Sequence, residues 1–370
     1  MKIQFIGPYL QNDGWGIAAL NFLKVLSLID GPGTEIGNCP IMLSSNISQD
    51  AEETREQFPD IYVESPDIVI SYALPPFFEN TKYDKPAKNI GIFHTETRHL
   101  EKIGWIQHCN DNLDGVIVFT YQEQDNLEKS GLNVPIYVMP MPIDTTEIKN
   151  HLTAMDYSNK LKADPYTFYF IGENNERKNI KSLVRSYSTE FDAHENVKLV
   201  IRSNVQLQDI DRVQQSVRKE KYPPIELHGN HQSRDQLIDL HAASDCFVSA
   251  SYGESSCIPL IEALIVGNSA IVTSGTGMDE PYSNRLQLTS AFEVPCECYR
   301  PPIHNIYTPY ESWMKIDERD LMDRMRYDFS IQGYSRSEGC NPIHEHHFEN
   351  VKGKLCSIMQ IVADAPIASL

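Results

Sequence analysis

Two carboxylates eight positions apart, Glu254 and Glu262, lie in the stretch VSASYGESSCIPLIEALIVG at residues 248–267. The residues around them decide where each can point. Val248 ends an apolar run, Gly253 permits a sharp turn, and Pro259 suits the first turn of a helix, where its missing N–H is no loss. From Ile258 onward, Leu260, Ile261, Leu264 and Ile265 fall largely on one helical face, and Gly267 stops the helix. The pattern predicts a strand, a turn and a helix. It leaves the amides of Ser256, Cys257 and Ile258 at a helix N-terminus, where roughly half a positive charge suits a phosphate. Glu254 lies in the turn and Glu262 inside the helix, so one can face a reacting group while the other reaches a hydroxyl-bearing neighbour. Both are ionised near neutrality at an ordinary pKa of about 4.3. Read as structure alone, the same stretch is a turn and a core-packed helix with two surface carboxylates.

Three further side chains have chemistry to offer. Arg177 and Lys178 begin the amphipathic segment GENNERKNIKSLVRSY, where Ile180, Leu183, Val184 and Tyr187 recur at helical spacing. Two cations at a helix N-terminus oppose its dipole by a few tenths of a kcal/mol, which makes more sense if an anion binds there. His94 follows the apolar segment NIGIF and stands at a strand's carboxyl end, where open α/β sheets place ligands. Its imidazole can donate or accept a hydrogen bond near neutral pH.

Elements that would position these groups alternate along the chain. Residues 2–7 read as a first buried strand, followed by a glycine-bearing loop and a helix from about 17 to 29. Further strands are expected at 35–43, 67–73, 89–93, 115–119, 166–171, 197–201 and 225–230, and again before Glu254 and after Gly267. This is an α/β pattern of parallel sheets. The loop PYLQNDGWG has only Gly14 and Gly16, so the dinucleotide fingerprint is absent. A polar stretch at 145–165 reads as the boundary between domains 1–148 and 149–344; helices are expected at 313–326 and near the C-terminus, at about 345–370.

Length and composition agree with two domains: 370 residues, 41% of them hydrophobic. With 32 basic against 51 acidic side chains, the net charge of −19 repels a phosphate backbone and argues against general nucleic-acid binding. Eight cysteines without a secretory leader read as reduced thiols of a cytoplasmic protein. Cys296 and Cys298, near Cys340 and His344, His346 and His347, hint at a metal, but paired Cys-x2-Cys spacing is missing and exposed loop residues are the better reading. No apolar run approaches the roughly 18 residues that span a bilayer.

Gly253, Glu254, Pro259, Glu262, Ala263 and Gly267 resemble the Glu-x7-Glu signature of the retaining glycosyltransferases of family 4. The resemblance covers about residues 2–360 and implies a GT-B fold: two facing Rossmann-like domains with a cleft between them, the last helix crossing back to the first domain. It implies a metal-independent transfer, without a cofactor, of a sugar from a nucleotide diphosphate sugar to a glycan or other hydroxyl-bearing acceptor, with retention of anomeric configuration. Glu254 then lies by the donor sugar, Glu262 by the ribose hydroxyls, and Lys178, with Arg177, by the diphosphate. Gly172 opens the phosphate-facing turn, while His228, Gly229 and Asn230 lie against the base. His94 matches the family's active-site histidine, and Gly14 and Gly16 its first glycine loop. The chain departs from the family where Glu173 replaces an Arg beside the diphosphate, and where Ser255, Ser256 and Cys257 replace Gly-Phe-Gly. Rival readings on the same scaffold are a nucleotide-sugar epimerase or hydrolase, a much longer glycan phosphorylase, and a non-catalytic sugar-binding module.

Overall fold

A computed structural model describes residues 1–45, 47–155, 164–229, 233–280, 285–296, 307–332 and 344–365. The chain divides into two units, Met1–Asp144 with His344–Leu370, and Thr145–Ile343.

The first unit alternates β1 (Lys2–Gly7), α1 (Gly14–Ser27), β2 (Glu35–Pro40), α2 (Ala51–Gln57), β3 (Ile68–Tyr72), α3 (Phe78–Thr81), β4 (Lys88–Ile92), α4 (Trp105–Asn112), β5 (Gly115–Val118), α5 (Tyr121–Lys129) and β6 (Ile136–Val138). Its strands form one parallel sheet in the order β2-β1-β3-β4-β5-β6. β3, β4 and β5 are buried along their whole length, as strands covered on both faces must be, and β3 and β5 read as largely apolar runs without alternation. α1 starts three residues earlier than its apolar spacing suggests, because Asp13 caps it by accepting from the Gly16 amide at 2.9 Å.

The second unit runs α6 (Thr145–Ala154), β7 (Tyr166–Ile171), α7 (Ile180–Glu190), β8 (Val197–Arg202), α8 (Leu207–Ser216), β9 (Ile225–His228), α9 (Arg234–Ala242), β10 (Cys246–Ser249), α10 (Ile258–Val266), β11 (Ser269–Thr273), β12 (Leu286–Thr289), β13 (Ala291–Pro295), β14 (Ser312–Ile316) and α11 (Glu318–Ser330). Six parallel strands stand in the order β12-β11-β10-β7-β8-β9, and β13 pairs with β14 antiparallel. Its core joins Phe168, Phe170, Leu183, Tyr187, Leu199, Val248, Ile271 and Met325. α12 (Phe348–Asp364) belongs to the first unit and packs on α1. Its approach is pinned where Ile143 N donates to His346 O at 2.9 Å and His346 Nδ1 meets Met141 O at 2.8 Å.

Three sequence expectations change. Residues 145–154 are helix, not linker, since Ile148 is buried within the second unit and fixes one face. The helix expected at 313–326 starts at Glu318; before it, Trp313 and Ile316 are buried in β14 and Asp317 caps the helix through the Arg319 amide. Arg177 and Lys178 precede α7 instead of opening it, because Asn179 adopts a left-handed conformation (φ 49°) and ends the turn. Asn230, Cys298 and Cys340 lie outside the described residues.

Candidate active site

In the second sheet the chain order reverses between β7 and β10, which are neighbours although β8 and β9 intervene in sequence. At such a reversal the loops leaving two adjacent parallel strands diverge and open a crevice at their carboxyl ends. Arg177 and Lys178 lie in the loop after β7, and Glu254 lies in the loop after β10. The three meet. Lys178 Nζ donates to Glu254 Oε1 at 2.6 Å, and Arg177 Nη1 stands 2.9 Å from Oε2. The two loops are also stitched through the backbone: Arg177 Nη1 donates to Gly253 O at 2.6 Å, Tyr252 N to Arg177 O at 2.8 Å, and Asn179 Nδ2 to Ala250 O at 3.1 Å.

Glu254 is 5% exposed. Burial pushes its pKa up, but the charges of Arg177 and Lys178 outweigh that and hold the carboxyl at about 2. The carboxylate is therefore ionised at neutral pH and cannot serve there as a proton donor. Two cations against one carboxylate leave a net positive charge of one, and Lys178 Nζ still has two donors beyond its bond to Glu254. Glu173 is exposed, beside Arg202 at the end of β8, and Arg177 supplies the cation next to Lys178.

The helix that follows is open at its N-terminus. No side chain caps α10, and the buried Ser256 Oγ has no hydrogen-bond partner. Cys257 sits at the cap with φ 33°, a conformation that favours glycine. The loop after β11 backs this turn: Gly277 N donates to Glu254 O at 2.9 Å, and a Cβ at Gly277 would come 2.4 Å from Ser255 O. Close backbone approach, invisible in the sequence, is the reason for glycine there.

Glu262 has partners of its own. Arg234 Nη1 donates to its Oε1 at 2.5 Å, and His241 Nε2 stands 3.4 Å from Oε2. Tyr169 OH accepts from Asn268 Nδ2 at 3.0 Å and is hydrogen-bonded to His241 Nδ1 at 2.7 Å. Burial again pushes the carboxyl up, and Arg234 foremost brings it down to about 2. Sequence reasoning missed Arg234 and His241, on α9; only the Ser233–Gln236 capping box, which sets where α9 begins, marks the region.

The remaining candidates are dispersed. Gly172 follows β7, whereas His228 ends β9 and pairs with Glu226 Oε1 at 2.7 Å. Gly229 has open space where a side chain would be, as has Gly14. Gly16 has none: a Cβ would fall 2.0 Å from Gln11 O, and its amide is already taken by Asp13. His94, in the first unit, follows β4. Its Nε2 lies 2.5 Å from Tyr72 OH, its ring is met edge-on by Trp15 at 4.9 Å, and Nδ1 is 3.8 Å from Glu123 Oε1. Burial, then the charges of Glu123 and Asp13, raise the Tyr72 pKa well above its usual value, so its hydroxyl keeps the proton. Among the described residues, no group of three His, Cys, Asp or Glu side chains could hold a metal, and Cys39, Cys109, Cys246, Cys257 and Cys356 are free thiols. No helix among them is long and apolar enough to cross a membrane.

Residues 154–285, which carry all of the second unit's candidates, match the family model described as Glycosyl transferases group 1. The protein is an enzyme of the glycosyltransferase class. Among solved structures it is similar to sucrose-phosphate synthase from Thermosynechococcus elongatus, with a TM-score of 0.67 at 13% identity over 99% of this chain and 100% of that one. Anabaena HepE, in complex with UDP-glucose, gives a TM-score of 0.67 at 10% identity, over 98% of this chain and 100% of that one. A glycosyltransferase from Rickettsia africae gives 0.65 at 13% identity, over 99% of each chain. These likenesses establish the GT-B fold. No curated protein sequence matches the chain.

Proposed function

We propose that this glycosyltransferase is a retaining, metal-independent enzyme that moves a sugar from a nucleoside diphosphate sugar to an acceptor hydroxyl. One observation carries the reading: Lys178 and Arg177 converge on Glu254 beside the uncapped N-terminus of α10, where the strand order reverses. In transfer the bond from the anomeric carbon to the diphosphate oxygen breaks, and its electron pair leaves on the phosphate. Lys178, Arg177 and the amides of Ser256, Cys257 and Ile258 meet that charge, each charge-assisted hydrogen bond contributing roughly 1.5–3 kcal/mol. The acceptor oxygen bonds to the anomeric carbon on the face the phosphate leaves, and its proton passes to the departing phosphate oxygen. Glu254, held ionised, stabilises positive charge at that carbon; Glu262 accepts from the ribose hydroxyls. His94, in the first unit, contacts sugar or acceptor.

UDP-glucose, which the Anabaena HepE structure contains, is the first donor to test. The test is a thermal-shift panel of nucleoside diphosphates and their sugar conjugates, since a ligand that binds only the native state raises its melting temperature. It is followed by incubation of the stabilising donor with hydroxyl acceptors and assignment of the product's anomeric configuration by NMR. A product of retained configuration, formed undiminished in a chelator, is expected. Release of free nucleotide with no acceptor consumed would instead favour a nucleotide-sugar epimerase or hydrolase.

A further inference from the structure

The two ends of the second unit's candidate site pair their ions in different ratios. Around Glu254, two cations face one carboxylate. Around Glu262 the count reverses, because Arg234 lies between Glu262 on α10 and Glu147 on α6, with Nε donating to Glu147 Oε2 at 2.9 Å and Nη1 to Glu262 Oε1 at 2.5 Å. Hydroxyl donors are welcome there, since a carboxylate oxygen already accepting from one donor has a lone pair for another.

Arg234 is also fixed at its root. It is the first residue of α9, directly after a capping box in which Ser233 Oγ accepts from Gln236 N and Gln236 Oε1 accepts from Ser233 N at 2.9 Å. A guanidinium spans two carboxylates through separate N–H groups in one rigid plane, which a lysine ammonium on a flexible stem does not reproduce. Glu262 is 5% exposed, and without a cation beside it a carboxylate so buried would take up a proton and lose its strength as an acceptor.

From this geometry we propose that Arg234 is a positioning residue for the nucleoside end of the donor site: it holds the Glu262 carboxylate charged and oriented so that the unoccupied lone pairs accept the ribose hydroxyls. The inference rests on the donor reading above. Glu147 anchors the other side of the guanidinium, so ribose recognition depends on α6, the first helix of the second unit. His151 of α6 strengthens that docking, with Nε2 2.9 Å from Asp239 and Nδ1 3.3 Å from Asp235 on α9.

The test uses the full chain and calorimetric titration with four ribonucleoside diphosphates, the best binder then being compared with its 2′,3′-dideoxy counterpart. The wild type is expected to prefer the ribose form by at least about tenfold, the discrimination that a hydrogen bond to a charged group supplies. Arg234→Gln is expected to bring that preference close to one while leaving affinity for the dideoxy form within about twofold. Arg234→Lys, which keeps the charge and is the safer variant to fold, is expected to fall between. Equal weakening of both forms in either variant would make Arg234 a mere brace and overturn the inference, as would an unchanged preference. A wild type that binds both forms equally would overturn it and leave the diphosphate reading standing. One that binds no nucleoside diphosphate would end both.

Discussion

The two units finish their central strands in contrasting chemistry. At the ends of β7 and β10 the side chains are ions: Arg177, Lys178 and a carboxylate that they hold at about pKa 2. At the ends of β3 and β4 they are rings: Tyr72 hydrogen-bonded to His94, with Trp15 and Phe119 against the imidazole. Glu123, nearby, is fully buried and accepts from the amides of Thr95 and Phe119 at 3.0 Å each. Asp13 caps α1, whereas no side chain caps α10. A leaving diphosphate needs the first kind of surface, and a neutral hydroxyl needs the second.

Breaking that comparison starts with Glu254→Ala. Transfer is expected to fall by at least about a thousandfold, in the upper range for losing a group aimed at transition-state charge. Nucleoside diphosphate affinity is expected to stay within a few-fold, because both cations remain. Wild-type turnover in this variant would refute its role. His94→Ala should lower kcat/KM for the acceptor by roughly ten- to a hundredfold, and Tyr72→Phe by about fivefold, the loss of one neutral hydrogen bond of about 1 kcal/mol. Neither should change the Kd of a nucleoside diphosphate; a loss of nucleotide binding in His94→Ala would erase the contrast between the units.

Acid sharpens it further. Glu254 and Glu262 have folded pKa values near 2, below the 4.5 of an unperturbed glutamate, so the unfolded chain binds more protons between those limits. Stability from the two carboxylates is thus present above about pH 4.5 and lost as pH falls toward 2. Denaturant titrations across that window should show a steeper loss in the wild type than in Glu262→Gln; parallel curves would contradict the assignment. The smallest effect concerns Cys257. Glycine there relieves a left-handed residue at some cost in unfolded-state entropy, so Cys257→Gly should leave stability unchanged or raise it by a few tenths of a kcal/mol. Cys257→Val, β-branched, should cost about 1–2 kcal/mol.

The same contrast explains what could be read from the sequence. Glu254, Glu262, Pro259 and Gly267 lie in one short segment, and Arg177 and Lys178 are adjacent, so motif and helical period suffice to find them. Their partnership had to wait for the fold, since it depends on β10 inserting beside β7. His94 is legible as the end of a strand and through its match to the family's histidine. Tyr72, Trp15 and Glu123, which orient it or lie against it, come from three other loops and elements with no common spacing. Arg234 looked like any helix-opening arginine until Glu147 and Glu262 flanked it. Residues 145–154 looked like linker because their polar composition hides one buried face, and Trp313 to Ile316 looked helical because the short alternation of a paired strand is easily absorbed into the helical period that follows.

Calorimetric titration of a nucleoside diphosphate into the wild type and Lys178→Ala tests most directly whether the charged end of the second unit grips the leaving group. A Kd raised at least about tenfold, with a weaker dependence on salt, is the predicted result. Equal Kd values with the same salt dependence would contradict it.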